Sequence, residues 1–167
     1  MDVEVLGHLG HRYYSRGARV LRDASPAQLA ELVAEVCSVS GSDDPSWWTS
    51  LVVSRTDVPD GLELVVAPGT GYVALAWTGT QQRSLNPDPF TDAPLLARDG
   101  ADDPPMYWRR NSYLPSGTAK AAVAQYLATG RQPSSVQWQT YGWDVHQLPD
   151  WLTAEMPEYE FFHLIEQ

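Results

Sequence analysis

Apolar residues between positions 25 and 37 recur at the spacing of an α-helix with one buried face. They stand at i, i+3, i+4 and i+7, and they are Leu29, Leu32, Val33 and Val36. The start of this segment carries helix signals, with Ser25 as N-cap, Pro26 in the first turn and Gln28 completing a capping box. The pattern predicts a first helix that packs one side against a core.

A second helix is predicted further along the chain, where alanines dominate the sequence AKAAVAQYLATG. Ser116 is placed to cap it, while Gly130 and Pro133 end it, because glycine favours the left-handed C-terminal position and proline cannot continue a helix. The following SVQWQ alternates, with Val136 and Trp138 on one side, which is the pattern of a half-buried strand. We expect Trp138 to reach the core under the second helix, where burial of its indole contributes roughly 2–3 kcal/mol or more.

The other apolar stretches are short and rich in strand-forming residues. PGTG joins two of them as a hairpin, and VPDG marks a turn before it. The predicted strands are residues 47–54, 62–67, 72–77 and 106–110, and residues 11–21 predict a strand or a hairpin bent at Gly17. Residues 80–105 predict a long acidic loop with one short strand at 95–97. These elements predict a single α+β domain over residues 1–167, with a mainly antiparallel sheet and two principal helices.

The net charge of the chain indicates which kinds of molecule it can bind. Its 167 residues carry a net charge of -10, and the sequence pI is about 4.6. Residues 132–167 contain six acids and no base, with large aromatic residues between them. A protein this acidic is a poor candidate for binding nucleic acid directly and a better one for binding a basic partner. The alternative is that the acidic C-terminal region, about residues 140–167, is only a solvated surface.

The chemistry of the sequence gives no catalytic site. Cys37 is the one cysteine, which precludes an internal disulfide. APGTGYV lacks the Lys and the Ser or Thr of a phosphate loop, and His8 and His11, near an N-terminus expected to be flexible, have no further metal-ligating neighbours. With no membrane-length apolar run and no leader-like segment, we expect a cytoplasmic protein that makes no membrane contact. We expect that the protein is not an enzyme and that it uses no metal or cofactor.

Residues 106–144 resemble the C-terminal half of the first-numbered immunity-protein family (Imm-one) of bacterial polymorphic toxin systems. They read MYWRRNSYLPSGTAKAAVAQYLATGRQPSSVQWQTYGWD. The family shows an aromatic strand, a stretch ending in Pro, a helix running into TG and Pro, and a V-x-W strand. The matching positions are Pro115, Gly130, Pro133, Val136 and Trp138. The order of earlier elements also fits, so the resemblance covers most of residues 12–144. After the tryptophan the family usually carries Glu, whereas this chain has Gln139.

The resemblance implies an intracellular antidote that binds a cognate protein toxin, often a nucleic-acid deaminase, and blocks its active site. We expect a monomer in a one-to-one complex with a toxin that is basic around its active site. An adaptor domain unconnected with a toxin and a small enzyme of unknown chemistry are the alternatives, and the neighbouring gene would separate them. Carboxylates and large amphipathic rings are expected at the contact. The candidate partner-binding residues are Asp99, Asp102, Asp103, Trp143, Asp144, Trp151, Glu155, Glu158, Tyr159 and Glu160.

Overall fold

A computed structural model of the chain describes residues 1–9, 15–37, 49–66, 71–91 and 109–140. Within those ranges two helices pack on one antiparallel sheet of eight strands. The helices are α1 (Pro26–Val36) and α2 (Ser116–Thr129). The strands are β1 (Val3–Leu9), β2 (Ser15–Leu21), β3 (Thr49–Arg55), β4 (Gly61–Val66), β5 (Tyr72–Trp77), β6 (Gln82–Leu85), β7 (Tyr113–Pro115) and β8 (Gln137–Thr140). Their order is β2-β1-β3-β4-β5-β6-β8, with β7 pairing to β5, which confirms the predicted single α+β domain.

The first helix forms where its sequence signals placed it. The Ser25 hydroxyl accepts a hydrogen bond from the Gln28 amide (3.3 Å), and the Gln28 side chain accepts one from the Ser25 amide (2.9 Å). Two orphan backbone donors are therefore satisfied before the first turn closes. The predicted apolar face is confirmed, because Leu32, Val33 and Val36 are buried.

The second helix ends as predicted but begins differently. Gly130 is its C-cap with φ +67°, in the left-handed region, and an added Cβ would lie 3.0 Å from Cγ1 of Val58. Both features favour glycine there. The predicted cap at Ser116 is wrong, since Pro115 occupies the cap position and no side chain bonds the first turn. Strand β7 runs into α2 without a linker, so Ser116 is already helical.

Both helices cover one face of the sheet, here called the inner face. Alternate residues of the central strands point to that face, as Leu62, Leu64 and Val66 do in β4. The predicted hairpin is confirmed by the pairing of Leu62 with Trp77. Trp77 contacts Tyr126 of α2 edge to face, with ring centroids 5.7 Å apart. The opposite, outer face carries a smaller buried cluster.

Three elements differ from the sequence prediction. The N-terminus is not a flexible end, because β1 lies inside the sheet between β2 and β3. Residues 80–105 are not one loop, because β6 begins at Gln82. A 3-10 turn at Arg110–Ser112 replaces the end of the strand predicted at 106–110. Residues 95–97 and 106–108 fall outside the described ranges.

Strand β8 lies last in the described sheet order, and this decides how deeply its tryptophan is buried. Val136 is buried and belongs to the core, as predicted. Trp138 packs against the same core but stays half-buried. Its indole Nε1 donates to the carbonyl of Pro133 at 2.8 Å. The ring therefore closes one margin of the core and does not fill its centre.

Candidate functional site

All ten residues predicted to bind the partner lie outside the described ranges. They are Asp99, Asp102, Asp103, Trp143, Asp144, Trp151, Glu155, Glu158, Tyr159 and Glu160. Their assignment as a binding surface stays a prediction. The described residues nevertheless show how the charge of the chain is divided and which surface the folded scaffold presents.

The acidic excess of the chain lies wholly outside the described ranges. The described residues contain nine acids and nine bases, whereas the others contain twelve acids and two bases. The described part of the chain is thus neutral, and the net charge of -10 comes from residues 10–14, 38–48, 67–70, 92–108 and 141–167.

The TG…P…VxW segment is built into the scaffold by identifiable contacts. The Thr129 hydroxyl donates to the carbonyl of Gln125 (2.8 Å) and accepts from the amide of Arg131 (3.2 Å). The Gly130 amide donates to the carbonyl of Tyr126 at 2.7 Å, which closes the helix. Each signature residue therefore ends the helix or fastens the following strand to it. This segment has a structural role, in agreement with the interpretation from sequence.

A polar junction lies where β5 changes partner from β6 to β7. The Ser84 hydroxyl accepts from the Leu75 amide at 2.9 Å and donates to the carbonyl of Ser112, taking the place of ladder bonds. Gln139 joins this junction from β8. Its Nε2 lies 3.0 Å from the carbonyl of Ser84, 3.1 Å from Oδ1 of Asn111 and 3.3 Å from Oγ of Ser112.

One cross-strand row traverses the outer face. The strand registers align Leu6, Val52, Glu63, Ala76, Arg83 and Gln139. Toward β5 and β6 the row is buried, with Ala76 at 2% and Arg83 at 1% exposure. Toward β1 it opens to solvent, since Leu6, Val52 and Glu63 are only half-buried. The outer face is therefore closed at one end and open at the other.

The open end forms a compact patch, which we call the outer patch: Glu4, Leu6, Val20, Val52 and Glu63. Val20 of β2 pairs with Glu4 of β1 and is 45% exposed. The Ser50 hydroxyl donates to Oε1 of Glu63 and holds that carboxylate on the face. Sequence reasoning missed the patch because it expected a flexible N-terminus and predicted no strand within residues 1–9. The alternation of Val3, Glu4 and Val5 was the available signal.

A family model described as immunity protein Imm1 matches residues 17–140. The chain belongs to the Imm1 immunity protein family. The match spans most of the sequence and includes both helices, six of the eight described strands in full and most of β2. No curated protein matches the chain. Membership implies an immunity, or antitoxin, role through the binding of a cognate toxin, and immunity proteins are generally not enzymes.

Gln139 stands where the sequence resemblance led us to expect glutamate, and its contacts give a reason for the amide. An ionised glutamate would have no hydrogen to donate to the Ser84 carbonyl. Gln139 supplies that donor through its amide. The junction in this Imm1 member is thus adapted to an amide rather than to a carboxylate.

Replacing Gln139 by alanine is expected to lower the free energy of unfolding by about 1–3 kcal/mol, since buried acceptors lose their donor. Gln137→Ala is the matched control, because this exposed residue lies two positions earlier in β8. It should change stability by less than about 0.5 kcal/mol. Urea denaturation of the two variants compares them directly. Equal losses for both variants would contradict a role for the junction in stability.

Other chemistry is sparse in the described part of this Imm1 protein. Burial raises the pKa of Cys37 to about 11, against a smaller opposing effect of Lys120, so the thiol stays protonated and inert at neutral pH. Among the residues with described positions, no group of three or more His, Cys, Asp or Glu side chains is placed to hold a metal ion. Neither described helix is long and apolar enough to cross a membrane.

Proposed function

We propose that this Imm1 family member protects its producing cell by binding a cognate toxin, a nucleic-acid deaminase, and blocking its active site. The observation that carries the proposal is the family match over residues 17–140. We further propose that the protein works in the cytoplasm, as a monomer in a one-to-one complex. The deaminase assignment rests on the resemblance of residues 106–144 to a family often paired with such toxins.

The division of charge supports a basic partner. An enzyme that grips nucleic acid is basic around its cleft because it must neutralise phosphates. The described residues are neutral in sum, and the remaining residues together carry the net charge of -10. Such a surface attracts a basic cleft over a distance and so accelerates association.

We propose that two acidic groups make this contact. The loop group is Asp99, Asp102 and Asp103, and the tail group is Trp143, Asp144, Trp151, Glu155, Glu158, Tyr159 and Glu160. The loop group carries three acids within five residues. The tail group has no base among its neighbours and adds the aromatic rings that anchor many interfaces.

The proposed function is tested by producing the toxin domain encoded beside this gene in a bacterial host, with and without this protein. We expect toxin alone to stop growth and co-production to restore it. With purified proteins, deamination of single-stranded nucleic acid should fall to zero at an equimolar ratio. Growth arrest that persists despite soluble, folded antidote would contradict the proposal. If this protein neutralises the toxin but the free toxin has no deaminase activity, the immunity role stands and the assignment of the toxin as a deaminase is wrong.

Neutralising the loop group (Asp99, Asp102 and Asp103 to Asn) or the four acids of the tail group should slow association with the toxin. We expect about a tenfold loss in on-rate at low salt and a flatter salt dependence, because distant charges steer the encounter. Stopped-flow measurements at low and high ionic strength provide the rates.

The control removes charge from the scaffold: Asp23, Glu31 and Asp88, all exposed, are replaced by their amides. It has the same charge as the loop variant, so a general effect of net charge would slow both equally. Equal slowing would refute a localised acidic contact while leaving neutralisation of the toxin intact.

A further inference from the structure

Two large apolar residues in the described ranges are exposed, Met1 at 40% and Val20 at 45%, and Val20 lies on the outer face of the sheet. The exposed positions of α1 are alanines and polar or charged residues, as at Ala30, Glu31 and Ala34. The inner face is filled by the helices. On the outer face, half-buried Leu6 lies on β1, next to the strand of Val20, and it pairs with half-buried Val52 of β3.

The charge of the outer patch has one sign. Glu4 and Glu63 border its three apolar residues on neighbouring strands. Arg83 shares the cross-strand row but is 1% exposed, and Arg19 is bound in an ion pair with Glu35 of α1. Arg22 follows the last paired residue of β2. An apolar centre flanked by carboxylates is complementary to an apolar side chain flanked by Arg or Lys.

We infer that the outer patch is a docking surface for the cognate toxin, which inserts an apolar side chain between Leu6, Val20 and Val52 and places basic residues against Glu4 and Glu63. The inference rests on the proposed function and gives the interface a contact on the rigid scaffold. Rigid sheet residues lose little conformational entropy on binding, so they suit the centre of an interface. The acidic segments then supply steering around it.

Strand addition at the edge of the sheet is a less suitable mode. β2 is the first strand in the described order, but its pairing with β1 shifts between Val5 and Gly7. Such a bulge distorts an edge and disfavours regular pairing with a further strand. The same irregularity lies at Leu6, a residue of the outer patch.

The test uses the full chain and the inactivated catalytic domain of the toxin encoded beside it. The double variant Glu4→Lys/Val20→Lys should weaken affinity by about tenfold or more, mostly through faster dissociation. Its matched control is Glu31→Lys/Ala34→Lys on the exposed side of α1, which makes the same change in net charge. The control should bind within about twofold of the wild type.

The two hypotheses fail in distinguishable ways. If the wild type does not bind the toxin at all, the proposed function is wrong, and this inference is lost with it. If the wild type binds tightly and both double variants match it, only the outer patch is refuted. Equal weakening of both variants also refutes it, because the effect then comes from net charge.

A second measurement needs no variant and therefore no assumption about folding. Carbodiimide coupling of an amine to exposed carboxylates is followed by mass spectrometry on the wild type, alone and saturated with toxin. Modification of Glu4 and Glu63 should fall severalfold in the complex, while that of Glu31 stays constant. Protection already present in the free protein at every concentration would mean that the chain covers the patch itself. Protection that appears only at high protein concentration would mean a second copy; either result overturns the inference.

Discussion

Trp77→Ala is expected to lower the free energy of unfolding by about 3–5 kcal/mol, the largest stability change for the substitutions proposed here. Trp77 is 6% exposed at the end of β5, near the middle of the described sheet. Its ring meets Tyr126 of α2 edge to face, with an interplanar angle of 75°. Its removal therefore deletes apolar burial and an aromatic pair, and it leaves a cavity that the sheet cannot close.

Trp138→Ala is the natural comparison, because the same substitution is made in an outlying strand. Trp138 is half-buried and packs against the core from β8. The loss should be smaller, about 2–3 kcal/mol, since less apolar area is exposed by the change. Guanidinium denaturation followed by circular dichroism gives both values. A Trp138 variant as unstable as the Trp77 variant would place the half-buried ring at the centre of the core.

Local sequence signals sufficed where an element is determined by its own residues. The capping box at Ser25 needs only Gln28, and the end of α2 needs only Gly130 in the left-handed region. The hairpin of β4 and β5 follows from two short apolar runs with glycines between them. In each case the controlling contacts join residues close in sequence, so a linear pattern contains them.

The strands that the sequence patterns did not predict form through pairing between residues far apart in the chain. β6 has the sequence QRSL, with no β-branched or aromatic residue. It forms because Ser84 bonds β5 and the turn before β7, and because β8 pairs with its other side. β1 is held between strands that come later in the chain. Tertiary context of this kind overrides a weak local preference.

The outer patch could not be predicted from the sequence because it also depends on the pairing of distant residues. Leu6 and Val52 are 46 positions apart in sequence, yet register places them side by side. Shifting either strand by one residue would turn its side chain to the helices. The acidic loop and tail groups were, conversely, visible as composition alone. The two proposed contacts therefore rest on different properties, one on strand register and the other on the charge of the sequence.

Tyr126→Phe is expected to lower the free energy of unfolding by about 2–4 kcal/mol although it removes one oxygen atom. That hydroxyl accepts from the amide of Arg55 at 2.9 Å and donates to the carbonyl of Asp60 at 2.8 Å. It thus ties both ends of the turn between β3 and β4 to α2. Burial raises the pKa of Tyr126, against a smaller opposing effect of Arg55, so the phenol stays protonated at neutral pH and keeps its hydrogen for Asp60. Phenylalanine leaves two partly buried backbone groups without a partner, each costing about 1–3 kcal/mol before relaxation.

Asp57→Asn provides the matched control, because it alters the same turn at its exposed side. Asp57 accepts from Nε of Arg55 at 2.9 Å, and this bond holds the pKa of its carboxyl below the ordinary value. The carboxylate lies on the surface, where solvent screens such a pair and leaves it little effect on stability. Urea denaturation at neutral pH should therefore show a large loss for Tyr126→Phe and a small one for Asp57→Asn. If the order is reversed, the turn is held by the Arg55–Asp57 pair, and the buried phenol is not the tie between sheet and helix.

Because the turn packs against Gly130, we also expect Tyr126→Phe to speed amide hydrogen exchange at the C-terminal end of α2, as local opening there becomes easier.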